Sequence, residues 1–268
     1  MGVINMSDVS HAKSTSDDES LLSEYVRPKA PMQSARTLHS REMHGAATKK
    51  RIFDTAVTLI AAPFWLPVII ICAVFILLLE GRPIFYVSQR QVAAGQLRSI
   101  IKFRTMRRDA DRVLNRDTVP IADTAFLNIT RGSDIYTPVG RIIERFALTE
   151  LPQLFHVLSG TMSLVGSRPL PTRVMDVLRA THPEADARFL TSAGLTGPVQ
   201  LVGRETISDE DRLELEIQYG QLASSGEYSI WLDFTLLLYT VFVVVVPGRL
   251  LTVAQASELM RRLKKRPE

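Results

Sequence analysis

The chain has 268 residues, 46% of them hydrophobic, and a formal net charge of +4 at neutral pH. This length allows one domain with appendages, and the positive charge is not gathered into a basic stripe with interleaved aromatic residues, which argues against a nucleic-acid partner. The single cysteine, Cys72, excludes a disulfide within the chain and fits a reducing compartment.

Residues 1–48 are polar, rich in serine, histidine, methionine and charge, and show no sustained hydrophobic period. Such a composition cannot bury enough apolar surface to order itself, so we predict a mobile polar tail. A partner-binding segment is the alternative, and nothing in the sequence favours a specific partner.

The segment after this tail is strongly apolar. No charged side chain occurs from residue 55 to residue 79, a length that can cross a bilayer core as a helix. The run lies too far from the N-terminus for a signal peptide, and no small-residue cleavage site follows it. Three cations at residues 49–51 favour a cytoplasmic position for its leading flank.

Two prolines, Pro63 and Pro67, interrupt this apolar run. A proline frees a backbone carbonyl and bends a helix, which is costly in lipid unless a bend is needed. Two hypotheses therefore stay open from the residues alone. The segment is either a straight span or a re-entrant helix over residues 49–82 that turns near Pro67 and returns to the same face. Re-entry is favoured because no second comparable span brings the chain back.

From Ile84 to Met106 the pattern is typical of strands. Side chains alternate along a strand, so Lys102 and Arg104 are expected on one face, opposite their apolar neighbours. Two cations on one strand face suit a diphosphate, and a solvated strand face is the plainer alternative.

Helical periodicity returns over residues 139–159, and further helices are predicted around 170–190 and 208–222. Thr149 is the predicted N-cap of the helical stretch that follows it. The apolar run 230–247 is short for a span and contains Asp233. We therefore predict a helix that lies in the membrane interface or packs on the domain.

Two blocks of sequence carry a specific pattern. Lys-Phe-Arg-Thr-Met occupies residues 102–106, and Glu-Leu-Pro-Gln-Leu at 150–154 is followed by Met-Ser-Leu-Val-Gly-Ser-Arg-Pro at 162–169. In content, order and spacing, these blocks resemble the catalytic core of the bacterial sugar transferases, the monotopic phosphoglycosyl transferases. The resemblance covers about residues 49–245.

The resemblance implies an α/β (α+β) fold, with a membrane-associated domain, a re-entrant N-terminal helix, a small sheet and several surface or interfacial helices. In this division residues 1–48 are the tail, and residues 49–82 form the re-entrant helix with its break at Pro67. Residues 83–247 form a cytoplasmic-face sugar transferase domain, and residues 248–268 are a basic C-terminal tail.

The activity implied by the resemblance is the transfer of a sugar phosphate from a nucleotide sugar to polyprenyl phosphate, which initiates exopolysaccharide, capsule or O-antigen assembly. It places the protein at the cytoplasmic face of a bacterial inner membrane. The implied partners are the two substrates, membrane lipid and downstream glycosyltransferases. Mg²⁺ is the implied cofactor, because the leaving charge of a pyrophosphate needs a cation.

The resemblance also assigns the site. Glu150 would be catalytic and the ligand of Mg²⁺, since a hard cation prefers oxygen ligands. Thr149 stands at the position of the family's nucleophilic aspartate, where a neutral hydroxyl would need an activating base. The implied ligands of the substrate phosphates are Lys102, Arg104, Gln153, Arg168 and Arg204.

Thr149 leaves the activity open. The enzyme could use direct attack by polyprenyl phosphate, it could use another nucleophile, or it could be inactive. The alternative function is therefore a catalytically inactive family member that binds substrate or partner as a regulator or scaffold. A third hypothesis is a peripheral membrane module that binds anionic lipid through Lys102, Arg104 and Arg168.

Overall fold

The computed structural model describes residues 32–110, 133–203, 207–246 and 248–264, with side chains from residue 44 onward. Residues 41–268 form one compact unit. The fold mixes helices with two small sheets, as predicted for an α/β chain. The predicted tail is described only from residue 32, where a helix begins, so the prediction for residues 1–31 lies outside the described part.

The described elements, numbered in chain order, are helices and strands with these bounds: α1 (Met32–Ile60), α2 (Ala62–Glu80), β1 (Phe85–Ala93), β2 (Gln96–Phe103), α3 (Pro138–Arg145), α4 (Leu154–Ser159), β3 (Ser163–Val165), α5 (Thr172–Thr181), β4 (Gly194–Thr196), α6 (Pro198–Val202), α7 (Asp209–Ser224), α8 (Ile230–Val245) and α9 (Val253–Leu263). Short 3₁₀ turns occupy Leu151–Gln153 and Ala185–Phe189.

The apolar segment is interrupted at Ala61, between α1 and α2. Pro63 lies in the first turn of α2 and has no N–H to donate. The indole Nε1 of Trp65 donates to the Thr58 carbonyl at 2.9 Å, so a side chain satisfies a backbone group beside the interruption. Helix α2 continues through Pro67. The interruption therefore precedes the predicted break at Pro67.

Helix α2 buries one stripe and exposes the rest. Trp65, Ile69, Cys72 and Ile76 recur at helical spacing and are buried against the domain. Side chains on the other faces, such as Phe64 at 79% exposure, remain uncovered. Among the described residues, α2 is the one helix long and apolar enough to cross a membrane by length and composition.

Strands β1 and β2 form an antiparallel hairpin, as the alternating pattern predicted. Tyr86 pairs with Lys102, and Ser88 pairs with Ile100. Directly paired residues share a face, so one face of the hairpin carries both pairs. Strand β2 ends at Phe103, and Arg104 lies beyond it.

Strands β3 and β4 form a parallel pair that leads into a tight loop. A Cβ on Gly166 would lie 2.5 Å from the Ser192 carbonyl oxygen and 2.7 Å from the Gly194 nitrogen. Only glycine permits this close backbone approach. The loop after β3 is therefore fixed against the segment before β4.

The helix predicted over 139–159 is broken in the middle. Helix α3 ends at Arg145, Ala147 adopts a positive φ of 56°, and α4 begins only at Leu154. The helices predicted around 170–190 and 208–222 correspond to α5 and α7. Ser208 accepts a hydrogen bond from the Asp211 N–H at the start of α7.

The C-terminal region contains two further helices. Helix α8 covers the predicted apolar segment and buries Asp233 completely. Helix α9 lies within residues 248–268 and buries Ala256 and Met260. These two residues lie four positions apart on one face of the helix, and this face packs against the domain.

Candidate functional site

One pocket lies between the face of the β1–β2 hairpin and the segments that follow α3 and β3. We name the hairpin side the hairpin wall and the opposite side the loop wall. The hairpin wall consists of Ser88, Arg90, Ile100 and Lys102, and the loop wall consists of Glu150, Gln153, Arg168 and Pro169. Four predicted site residues thus meet in one place: Lys102, Glu150, Gln153 and Arg168.

The loop wall contains a two-point ion pair. Nη1 of Arg168 donates to Oε2 of Glu150 at 3.2 Å, and Nη2 donates to Oε1 at 2.5 Å. Both side chains are partly exposed, at 31% and 21%. The planar fork of an arginine matches a carboxylate or a phosphate in the same way. An incoming phosphate could therefore replace Glu150 as the partner of Arg168.

The backbone around Arg168 is held by a buried ion pair. Arg188 and Glu216 are almost fully buried, and their closest N–O distance is 2.7 Å. Glu216 also accepts from the Arg168 N–H at 3.2 Å, and Arg188 donates to the Arg168 carbonyl at 2.9 Å. The Ser167 hydroxyl donates to the Arg188 carbonyl at 2.8 Å. These bonds fix the loop that aims Arg168.

Sequence reasoning missed Arg188 and Glu216. A signal for Glu216 was present, because it lies three residues after Leu213 and three before Tyr219, on the buried stripe of α7. A carboxylate on an apolar stripe needs a buried partner. Nothing comparable marks Arg188, whose partners are distant in the chain.

The hairpin wall supplies two cations. Nζ of Lys102 lies 5.2 Å from the ring centroid of Tyr86, its cross-strand partner. Burial and the neighbouring Arg90 lower the pKa of Lys102, and Glu150 acts in the opposite direction. Arg90 Nε donates to the Ser88 hydroxyl at 3.1 Å. Two adjacent cations favour an anion between them.

Arg104 is not brought into this pocket. Its guanidinium donates to the carbonyls of Pro83 at 2.6 Å and Gly81 at 2.8 Å, and its Nη2 lies 3.8 Å from the Glu80 carboxylate. These contacts tie the end of α2 to the hairpin. The predicted role in phosphate binding has no support from this position. Arg204, another predicted phosphate ligand, lies outside the described residues.

Thr149 is buried beside the pocket. Its side chain is not among the described lining residues, and its hydroxyl has no hydrogen-bond partner within the described ranges. Its carbonyl accepts from the Phe103 N–H at 3.0 Å, which joins this turn to β2. The N-cap prediction is wrong, because the following 3₁₀ turn begins after Glu150 and has no side-chain cap.

Glu150 is the pocket's carboxylate among the described lining residues. The described ranges contain no group of three or more His, Cys, Asp or Glu side chains able to hold a metal. Mg²⁺ is commonly held by one or two carboxylates together with substrate phosphates. The single carboxylate of Glu150 therefore fits a magnesium ion that is bound mainly by substrate phosphates, provided that Arg168 releases one Glu150 oxygen.

His156 supports the pocket from behind the hairpin. Its Nε2 accepts a hydrogen bond from the Ile101 N–H at 3.2 Å, next to Lys102. Burial lowers the pKa of His156, which keeps this nitrogen unprotonated and able to accept. The histidine therefore packs and positions β2.

The described pocket lining is cationic with one carboxylate, and this chemistry suits phosphate-bearing ligands. Helix α2 contacts the 3₁₀ turn that carries Gln153, and Trp65 packs edge-on against Phe155 of α4 at 5.3 Å. The family model described as bacterial sugar transferase matches residues 45–247. The chain belongs to this family.

Similarity to named relatives agrees with this family assignment. The chain is 33% identical over 198 residues to the UDP-glucose:undecaprenyl-phosphate glucose-1-phosphate transferase of Caulobacter vibrioides, covering 72% of this chain and 68% of that protein. It is 30% identical over 196 residues to the exopolysaccharide production protein ExoY of Sinorhizobium fredii, covering 72% and 83%. It is 33% identical over 168 residues to the galactosyl transferase CpsE of Streptococcus agalactiae, covering 62% of this chain and only 36% of that protein.

Proposed function

We propose that this protein transfers a sugar phosphate from a nucleotide sugar to polyprenyl phosphate, the initiating step of exopolysaccharide, capsule or O-antigen assembly. The observation that carries the proposal is the pocket, in which Arg90, Lys102 and Arg168 surround Glu150. Three cations against one carboxylate leave a positive excess that suits a diphosphate. The names of the Caulobacter and Sinorhizobium relatives support the same reaction.

The apolar helix is proposed to seat the domain at the cytoplasmic face of the inner membrane as a re-entrant element. Lys50, ahead of the apolar run, bonds to Asp233 of the domain, and the Glu80 carboxylate at the end of α2 accepts from the Val139 N–H at 3.0 Å. A straight span would place its two ends on opposite sides of a hydrocarbon core about 30 Å thick. Contact of both flanks with one domain supports re-entry.

In the proposed reaction an oxygen of polyprenyl phosphate forms a bond to the phosphorus next to the sugar. The pyrophosphate P–O bond breaks, and a nucleoside monophosphate leaves with the electron pair. Arg168 and Lys102 bind the phosphate oxygens from opposite walls, and Gln153 lines the loop wall with Arg168. A magnesium ion held by Glu150 would neutralise charge on the leaving group.

Thr149 supports a second candidate function. Its buried hydroxyl lies outside the described pocket lining, so the usual covalent nucleophile has no equivalent at this position. The chain would then be a catalytically inactive family member that binds nucleotide sugar, lipid phosphate or a partner such as a downstream glycosyltransferase. The same pocket serves either function, and turnover separates them.

A radiolabelled transfer assay in nanodiscs tests the proposal, with polyprenyl phosphate, Mg²⁺ and a panel of UDP-sugars. We expect turnover by the unmodified chain and its loss in Glu150→Ala, because that variant removes the pocket's carboxylate. Arg261→Gln, which removes one exposed cation that pairs with Glu258 within α9, is the control and should keep activity.

If the unmodified chain shows no turnover and Thr149→Asp does, the result would favour the inactive, ligand-binding function. Direct binding of UDP-glucose, measured by calorimetry, runs alongside. A chain that neither binds nor transfers any sugar of the panel, with or without Thr149→Asp, would contradict both functions for those substrates.

A further inference from the structure

A buried polar cluster lies at the start of the apolar segment, away from the pocket. It consists of Lys50 on α1, Tyr219 on α7, and Tyr228 and Asp233 at the start of α8, and we name it the Lys50 latch. All four residues are buried, with relative exposures of 6%, 0%, 4% and 0% in that order. The reaction proposed above uses none of them.

Asp233 is the centre of the latch. Its carboxylate accepts from Lys50 Nζ at 2.6 Å, from the Tyr219 hydroxyl at 2.7 Å and from the Tyr228 hydroxyl at 2.9 Å. Lys50 Nζ also donates to the Tyr219 hydroxyl oxygen at 2.8 Å. Burial raises the pKa of both tyrosines, with Asp233 adding to the shift, so their hydroxyls stay protonated as donors. A buried carboxylate with three donors is well satisfied.

The Tyr219 hydroxyl connects the latch to the strand that precedes the pocket. Its single hydrogen is shared between two acceptors, the Asp233 carboxylate and the Val165 carbonyl oxygen, which lies 3.0 Å away at the end of β3. Arg168 follows three residues later. One turn earlier on α7, Glu216 accepts from the Arg168 N–H. Helix α7 therefore holds both ends of the segment that runs from β3 to Arg168.

Asp54 makes a second link from α1 to the same strand. Its carboxylate accepts from the Ser163 hydroxyl at 2.7 Å and from the Leu164 N–H at 3.1 Å. Asp54 lies four residues after Lys50, on the same helix face. Two consecutive turns of α1 are thus linked to β3. Asp54 contacts the strand directly, and Lys50 is linked to it through Tyr219.

We propose that the Lys50 latch positions Arg168, so that the seating of the apolar segment on the domain sets the geometry of the phosphate pocket. Lys50, Tyr219 and Asp233 are positioning residues, because they act through β3 and touch no substrate. The effect on phosphate binding rests on the proposed function, whereas the effect on the backbone of residues 163–168 does not.

Two matched substitutions separate positioning from general stability. Tyr219→Phe removes a hydroxyl that contacts Asp233, Lys50 and Val165, while Tyr228→Phe removes a hydroxyl that contacts Asp233 alone among the bonds described. Both preserve the ring and its packing. Loss of support for Asp233 and Lys50 without positioning predicts no faster exchange over residues 163–168 in either variant. Positioning through β3 predicts an effect of Tyr219→Phe alone.

Amide hydrogen exchange on the full chain in nanodiscs, read by mass spectrometry, is the deciding measurement because it needs no substrate. In Tyr219→Phe we expect exchange over residues 163–168 to speed up by about tenfold, as when one buried hydrogen bond is lost locally. Exchange in the β1–β2 hairpin should stay unchanged. Glu80→Gln, at the other end of the apolar helix, should leave residues 163–168 unchanged as well.

Binding of inorganic pyrophosphate, measured by calorimetry, extends the test to the pocket. Tyr219→Phe should weaken binding several-fold in the native chain, and should weaken it much less once Arg168→Lys is already present, since coupled residues are not additive. An unmodified chain that binds no pyrophosphate would contradict the proposed function and leave the exchange result to decide the latch.

Two results would overturn the positioning role. The first is unchanged exchange over residues 163–168 in Tyr219→Phe. The second is equal acceleration in Tyr219→Phe and Tyr228→Phe. A selective effect of Tyr219→Phe, with Tyr228→Phe and Glu80→Gln silent, supports it.

Discussion

The two walls of the pocket are built in different ways. The hairpin wall stands on two strands that are adjacent in sequence and joined by their own backbone ladder. The part of the loop wall that carries Arg168 stands on a short loop after β3, whose supports come from α7 and from the 3₁₀ turn at Ala185–Phe189, through the buried pair of Arg188 and Glu216. The hairpin wall is therefore stabilised by local contacts, whereas the loop wall depends on an ion pair between residues distant in sequence.

The largest effect should follow from breaking the support of the loop wall. Arg188→Gln leaves Glu216 buried without its ion-pair partner, and such losses cost about 3–5 kcal/mol. We expect a corresponding fall in the free energy of unfolding, measured by denaturant titration of the detergent-solubilised protein. Arg261→Gln, which removes one exposed cation that pairs with Glu258 within α9, should change the free energy of unfolding little, because exposed pairs contribute little. Equal losses in the two variants would mean that the buried pair has no special role.

A smaller and different effect should follow on the hairpin wall. Lys102→Gln removes a pocket cation without touching the backbone ladder, so unfolding should change little. Hydrogen bonds to charged groups contribute about 1.5–3 kcal/mol, and we expect binding of UDP-glucose to weaken at least tenfold. Calorimetry of Lys102→Gln beside Arg261→Gln, on the exposed side of α9, gives the comparison. Unaltered affinity would remove Lys102 from the phosphate ligands.

The smallest effect concerns His156, which supports the hairpin wall through the Ile101 N–H. Its pKa lies below the ordinary value of 6.5 in the folded protein because of burial. The contribution of His156 to the free energy of unfolding should therefore be complete above about pH 6.5. It should be lost as the pH falls through the lower folded pKa. Thermal unfolding measured across this range should show the loss. His156→Asn keeps an acceptor oxygen and should flatten the pH dependence, and an equally steep profile in this variant would place its origin elsewhere.

The hairpin wall was predictable because its signals are local. Alternation over residues 84–106 gave the strands, and the Lys-Phe-Arg-Thr-Met block marked Lys102. Glu150, Gln153 and Arg168 were marked by their own motif, and the structure places them opposite Lys102 in one pocket. The family and these four positions could therefore be read from short stretches of sequence.

The remaining features depend on contacts that short stretches do not contain. Arg104 was expected beside Lys102, yet β2 ends between them. Its hydrogen bonds go to the carbonyl of the last residue of α2 and to two carbonyls that follow the helix. The periodicity over 139–159 continued through the turn at Ala147, so it concealed the break that buries Thr149. Neither the strand end nor the turn has a local signal, because tertiary packing sets both.

The pairing of Lys50 with Asp233 also has a consequence for biosynthesis. Asp233 is made 183 residues after Lys50, which corresponds to about 10–40 s of translation at 5–20 residues per second. Until α8 has emerged, the lysine has no carboxylate at this site, and its charge favours water over the protein interior. The Lys50 latch therefore forms well after the apolar segment itself has been synthesised. The contact between the start of the apolar segment and Asp233 forms only after α8 has been synthesised.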